Sequence, residues 1–148
     1  MYLRVTAGTD LGLDHAKQVI NEDDTDQDDN ISEQDEKCFQ RGKRAFGEGA
    51  YESARTYFAS AMKGGNAAAA NYLGWIYRQG LGVSVDCELA FQYYREAANK
   101  KHPEALHNVG FMYEMGLGVA KDAQRASRYY DRAIAVWKQK SQNINARL

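Results

Sequence analysis

Set against itself at an offset of 36, the chain repeats: residues 69–97 align with 105–133 and share 12 of 29 positions. The identities are Ala69/Ala105, Gly74/Gly110, Tyr77/Tyr113, Gly80/Gly116, Leu81/Leu117, Gly82/Gly118, Val83/Val119, Asp86/Asp122, Ala90/Ala126, Tyr93/Tyr129, Tyr94/Tyr130 and Ala97/Ala133. Unrelated stretches of ordinary composition would share roughly two. A fixed period of this length marks one supersecondary unit used repeatedly, stacked in line because no unit can bury its own apolar face. Leu73/Val109, Trp75/Phe111 and Ile76/Met112 differ but keep their character. The same offset carried backward reaches Ala54, Tyr57, Phe58 and Ala61, so a degenerate third unit precedes the other two, over about residues 35–64.

Each unit reads as two helices. Ala69, Ala70, Leu73, Ile76 and Tyr77 recur at helical spacing. Gly80 follows as the residue that closes a helix in a left-handed conformation. Asp86 stands where a second helix begins, and its carboxylate can cap free N–H groups. Ala90, Tyr93, Tyr94 and Ala97 form the buried stripe of that second helix. The next unit repeats the pattern, with Pro103 as the first helical residue. In the first unit the connection is four residues shorter: Gly42 to Ala54 is 12 residues, against 16 from Gly74 to Ala90. No fourth unit follows, because the position 36 beyond Gly110 is Ala146.

The blocks YLGWIYRQGLGVSVDCELAFQYYREAA and NVGFMYEMGLGVAKDAQRASRYYDRAI resemble the Sel-one-like repeat (SLR), a 36-residue relative of the tetratricopeptide repeat (TPR). The resemblance rests on the LG…Y, GxGV, D…A and YY…A positions. The first unit, FQRGKRAFGEGAYESARTYFASAM, looks more like a 34-residue TPR with its short turn, and Arg41 departs from a normally apolar position. The resemblance implies an all-α fold, a right-handed α/α solenoid of about three helix-turn-helix repeats. It also implies protein binding rather than catalysis, and small SLR proteins occur beside toxin-immunity and secretion systems.

The expected organisation is an acidic, flexible segment over 1–34, the repeat domain over 35–140 and a polar tail over 141–148. Ala135, Val136 and Trp137 are expected to cover the open end of the stack. Charge follows these divisions. The formal net charge is −1, yet residues 1–36 hold eleven acidic and two basic side chains, net −9, leaving +8 on the rest. Such asymmetry concerns partners and self-interaction, not fold. Within the acidic segment, Asp24 to Asp35 resembles an EF-hand calcium loop, with carboxylates at loop positions 1, 3 and 5. Asp29 stands where the turn wants Gly and Asp35 replaces the bidentate Glu, so a solvated linker is the plainer reading and a calcium-responsive module the alternative.

No HExxH, GxSxG, P-loop or clustered Cys/His pattern appears, so no enzyme, metal site or cofactor is expected. No apolar run approaches ~18 residues, so no membrane span is expected. Cys38 and Cys87 lie 49 apart and form no CxxC pair, which favours free thiols and a cytoplasmic location. Arg125, Arg128 and Arg132 share one face of the last helix. No recognised nucleic-acid motif accompanies them, and a solvated face is expected there.

A partner-binding strip remains. In the TPR register the first helix of each hairpin lines the concave face. Positions not used in hairpin packing are then Asn71, Trp75 and Arg78 in the second unit, His107, Phe111 and Glu114 in the third, and Lys43 and Phe46 in the first. Trp75 and Phe111 are equivalent and adjacent. As large aromatics among polar groups they suit interface hot spots; for Trp75, inter-repeat core is an equal reading. The chain is expected to act as an adaptor or scaffold for another protein or peptide.

Overall fold

The computed structural model describes residues 31–147, and within them the chain forms six helices and no strand. They are α1 (Glu33–Gly47), α2 (Tyr51–Lys63), α3 (Ala67–Gln79), α4 (Cys87–Asn99), α5 (Pro103–Met115) and α6 (Ala123–Ala146). Each packs on its neighbour in sequence, giving three antiparallel hairpins stacked side by side. This is the expected all-α solenoid. The acidic stretch ahead of residue 31, and with it most of the calcium-loop resemblance, lies outside the described residues.

The helix starts are set by side chains that accept orphan N–H groups. Ser32 Oγ accepts from Asp35 N (3.1 Å), Asn66 Oδ1 from Ala69 N (2.9 Å), Asp86 Oδ1 from Leu89 N (3.0 Å) and Asp122 Oδ1 from Arg125 N (3.0 Å). Pro103 opens α5 at the first helical position, where a missing N–H costs nothing. α3 and α5 end at Gly80 (φ 70°) and Gly116 (φ 69°), in the left-handed region that disfavours a Cβ. The second glycine of each GxG has a further role. A Cβ on Gly82 would sit 2.9 Å from Tyr51 Cβ, and one on Gly118 would collide with the Cys87 carbonyl. Tyr51 and Cys87 each open the second helix of the preceding hairpin, so the turn of one unit rests on the unit before it.

Within each hairpin the helices meet at a glycine and an aromatic ring. A Cβ on Gly42 would lie 2.7 Å from the Phe58 ring, on Gly74 2.6 Å from Tyr94, and on Gly110 2.9 Å from Tyr130. Ala54, Ala61, Ala69, Ala90, Ala97, Ala105 and Ala133 are fully buried beside these contacts, so helices approach closely along the whole stack. Leu73, Ile76, Leu106, Val109 and Met112 are buried in the same core.

α6 has 24 residues where α2 to α5 have 13 each. Residues 141–146, expected as a polar tail, are helical. They hold no Gly or Pro to stop the helix, and polarity alone does not end one. Of the three residues expected to cover the open end, Val136 packs on the core, whereas Ala135 is exposed and Trp137 is 41% exposed. Arg41 is exposed on α1, where no described helix packs outside it.

Candidate functional site

The first helices α1, α3 and α5 carry the expected strip. Phe46, Ala68, Asn71, Tyr72, Trp75, His102 and Glu104 line a groove of about 260 Å³. Asn71, Glu104, His107, Asn108 and Trp137 line a second of about 300 Å³. Asn71 and Glu104 border both, so the two are continuous. At the boundary Asn108 Nδ2 donates to Asn71 Oδ1 (3.0 Å), tying α3 to α5. His102 Nε2 and Glu104 Oε1 lie 3.1 Å apart where α5 begins.

Trp75 is 40% exposed and Phe111 half-buried. The Arg78 guanidinium lies over both rings, 5.1 Å from the Trp75 centroid and 4.8 Å from that of Phe111. Three of the expected residues, one turn of α3 and the facing part of α5, thus form a single aromatic–cation cluster. Phe46, Asn71 and Trp75 share the first groove, and His107 borders the second. Two residues behave differently. Lys43 lies over the Phe39 ring (5.5 Å) and lines neither groove. Glu114, equivalent to Arg78, accepts from the Tyr130 hydroxyl (2.6 Å) and is held toward α6.

Four neighbours of the strip escaped the sequence reading. Tyr72 stacks on Phe58 (4.6 Å) and meets Phe39 and Phe46 edge-on, forming the wall between the first two hairpins. Its spacing of three from Ala69 and four from Ile76 was not singled out in the sequence. Glu104 and Asn108 enter from α5, with Asn108 bonded to Asn71, and Trp137 from the extended α6. Trp137 stands 6.3 Å from the His107 ring, and Tyr130 5.0 Å from it.

Two phenols are held in their neutral form. Burial and the hydrogen bond to Glu114 push Tyr130 up to about 12. Burial pushes Tyr94 well above the ordinary phenol value, against the opposing charge of Arg78. Tyr94 is completely buried, and its hydroxyl has no hydrogen-bond partner among the described residues. On α6, Arg125 lies over Tyr113 (5.7 Å) and Arg132 over Tyr129 (4.9 Å), so these arginines are spread over rings as well as facing solvent. Cys38 and Cys87 are not bonded to each other. Among the described residues no group of three His, Cys, Asp or Glu side chains could hold a metal ion, and no helix is long and apolar enough to cross a membrane.

Stacked hairpins of two helices, closed by paired glycines and bearing an aromatic strip on the first helices, define a helical-repeat protein of the α/α-solenoid class. The repeats themselves are Sel1 repeats: residues 67–102 and 103–135 match that family. The chain is similar to a Sel1 repeat protein from Oxalobacter formigenes, at 34% identity and a TM-score of 0.62 over 64% of this chain and 39% of that one. It is also similar to a protective antigen of uropathogenic Escherichia coli strains with an SLR fold, at 27% identity and a TM-score of 0.64 over 68% of this chain and 22% of that one. Helicobacter pylori cysteine-rich protein B shares the fold at 19% identity, with a TM-score of 0.62 over 84% of this chain and 98% of that one. The chain therefore spans 39% and 22% of the lengths of the first two. No curated protein matches it. Sel1 repeats are generally protein-interaction modules and non-catalytic helical scaffolds.

Proposed function

We propose that this chain is a non-catalytic adaptor that binds a protein partner through the strip on α1, α3 and α5. The observation that carries the reading is Trp75: a tryptophan 40% exposed on a fixed helix, at the edge of an open groove and beside Phe111. Large aromatics on rigid elements lose little conformational freedom on binding and dominate interface energetics. Phe46, Asn71, Arg78 and His107 supply the rest of the binding surface, with Lys43 and Glu114 at its margins. Separate free thiols on α1 and α4 suit a reducing, cytoplasmic compartment.

The test compares the parent with a Trp75→Ala, Phe111→Ala variant in affinity capture from the native host, alongside thermal melting. The variant is expected to lose the proteins that the parent retains while melting close to it, because hot-spot truncation costs at least ~2 kcal/mol of binding. Retention of the same proteins would refute the reading. A loss of stability near the ~3–5 kcal/mol of a core aromatic would show that the rings are inter-repeat core.

A further inference from the structure

Among the described residues, Arg78 is the one cation of this strip that two rings fix in place. Its guanidinium carbon lies over the Trp75 and Phe111 rings, 5.1 and 4.8 Å from their centroids. A cation held over rings in this way keeps N–H groups that can fork to a carboxylate. Among the described residues those N–H groups have no ion pair or hydrogen bond. The nearby acids are committed elsewhere. Glu104 is paired with His102 (3.1 Å), and Glu114, at the same register one repeat on, receives the Tyr130 hydroxyl (2.6 Å). The Tyr94 hydroxyl, close enough to feel the Arg78 charge, makes no hydrogen bond among the described residues. Arg78 is thus an oriented positive charge without a counter-ion among the described residues, next to a groove whose walls are Phe46, Tyr72 and Trp75.

We infer that Arg78 reads a carboxylate on the partner: the strip takes an acidic peptide segment in which an Asp or Glu side chain meets Arg78 and an adjacent apolar side chain enters the Phe46–Tyr72–Trp75 groove. The inference rests on the proposed binding strip and adds the partner's chemistry to it. A stacked guanidinium loses little freedom when it forms a forked, charge-assisted pair, so specificity for acid over amide follows from geometry as well as charge.

The probe is a random-peptide display library selected on the parent chain at low salt, followed by titration of the best peptide, made with Glu or with Gln at its acidic position. Selected peptides are expected to share an Asp or Glu beside a large apolar residue. The Glu peptide should bind Arg78→Gln about tenfold to a hundredfold more weakly than the parent. The Gln peptide should bind both chains alike, and Arg78→Lys should restore part of the affinity. A structural role for Arg78 would instead weaken both peptides equally, so that result overturns the inference. Acid-free peptides that still require Trp75 and Phe111 overturn it too while leaving the binding strip in place. Peptides indifferent to Trp75→Ala, Phe111→Ala, or no selected peptide at all, overturn both.

Discussion

Replacing Gly74 by Ala adds one methyl group, and the structure makes it costly. The new Cβ would stand 2.6 Å from Cδ1 and Cε1 of Tyr94. That ring is completely buried, so it cannot swing into solvent. Either the ring turns off its rotamer or α3 and α4 part. Overpacking of this kind costs about 1–3 kcal/mol. Against it stands the helix preference of Ala over Gly, about 1 kcal/mol. The expected net loss is up to about 2 kcal/mol, or a drop in Tm of up to roughly 8 °C for a domain of this size. Gly47, on the last turn of α1, has nothing within 4 Å of the equivalent Cβ and no positive φ. Gly47→Ala should therefore gain about 0.4–1 kcal/mol. Gly110→Ala should fall between them, because the Tyr130 ring that it meets at 2.9 Å is only half-buried. The assay is urea unfolding followed by helical circular dichroism. Tyr94→Leu combined with Gly74→Ala should recover part of the loss, as expected for residues in direct contact. A Gly74→Ala chain at least as stable as the parent would refute the packing argument.

Gly80→Val and Gly116→Val should each destabilise by more than ~1 kcal/mol, since φ is 70° and 69° there and a β-branched residue is strained in that region; thermal melts check this. Stability should fall at high pH. Tyr130 is pushed up to about 12 in the folded chain, so its contribution is complete below the unfolded phenol value of ~10 and is lost as pH rises toward 12. Tyr130→Phe should flatten that fall, measured as urea midpoints on either side of pH ~10. Deleting residues 1–30 removes most of a net −9 segment; α1–α6 should melt as before, and affinity for acidic peptides should rise at low salt, where screening beyond ~10 Å is weakest. A truncated chain that does not fold would show that the segment is structural.

What the sequence could disclose was whatever depends on local spacing. The caps at Asp86 and Asp122, Pro103 at the head of α5, and the left-handed Gly80 and Gly116 are each decided within a few residues of themselves. The hairpin contacts were legible through repetition, because Gly74 and Tyr94 recur as Gly110 and Tyr130. The strip was legible only as a set of positions. That Arg78 would lie over Phe111, or that Asn71 would bond Asn108, depends on how far one first helix slides along the next, and no spacing within a unit records that. Glu114 looked like part of the strip until Tyr130 drew it toward α6. The length of α6 was hidden because its last turns bury nothing and so leave no apolar period to read.

The two Sel1 repeats act as internal controls for one another. Every position identical between them serves packing or backbone geometry. These are buried alanines, glycines under rings or in turns, the Leu and Val of each turn packed against the core, capping aspartates, and tyrosines on those glycines or stacked within each hairpin, Tyr77 on Tyr93 and Tyr113 on Tyr129. Among the positions that differ, two groups stand out. On the second helices they follow the stack. Phe91 is buried against Tyr113 of the next repeat, whereas its equivalent Ser127 is exposed where no described helix follows. On the first helices, beside the buried apolar exchanges Ala70/Leu106, Leu73/Val109 and Ile76/Met112, the second group lies on the strip: Asn71 against His107, Trp75 against Phe111, Arg78 against Glu114. Packing does not account for that second group, since Trp75 is exposed and Arg78 carries the opposite charge from its counterpart without pairing to it. A surface that keeps its frame while varying size and charge from one repeat to the next is consistent with the proposed binding role. On the proposed function, each register position would offer different chemistry to a partner lying across the first helices, with Arg78 as the positive charge that two rings hold.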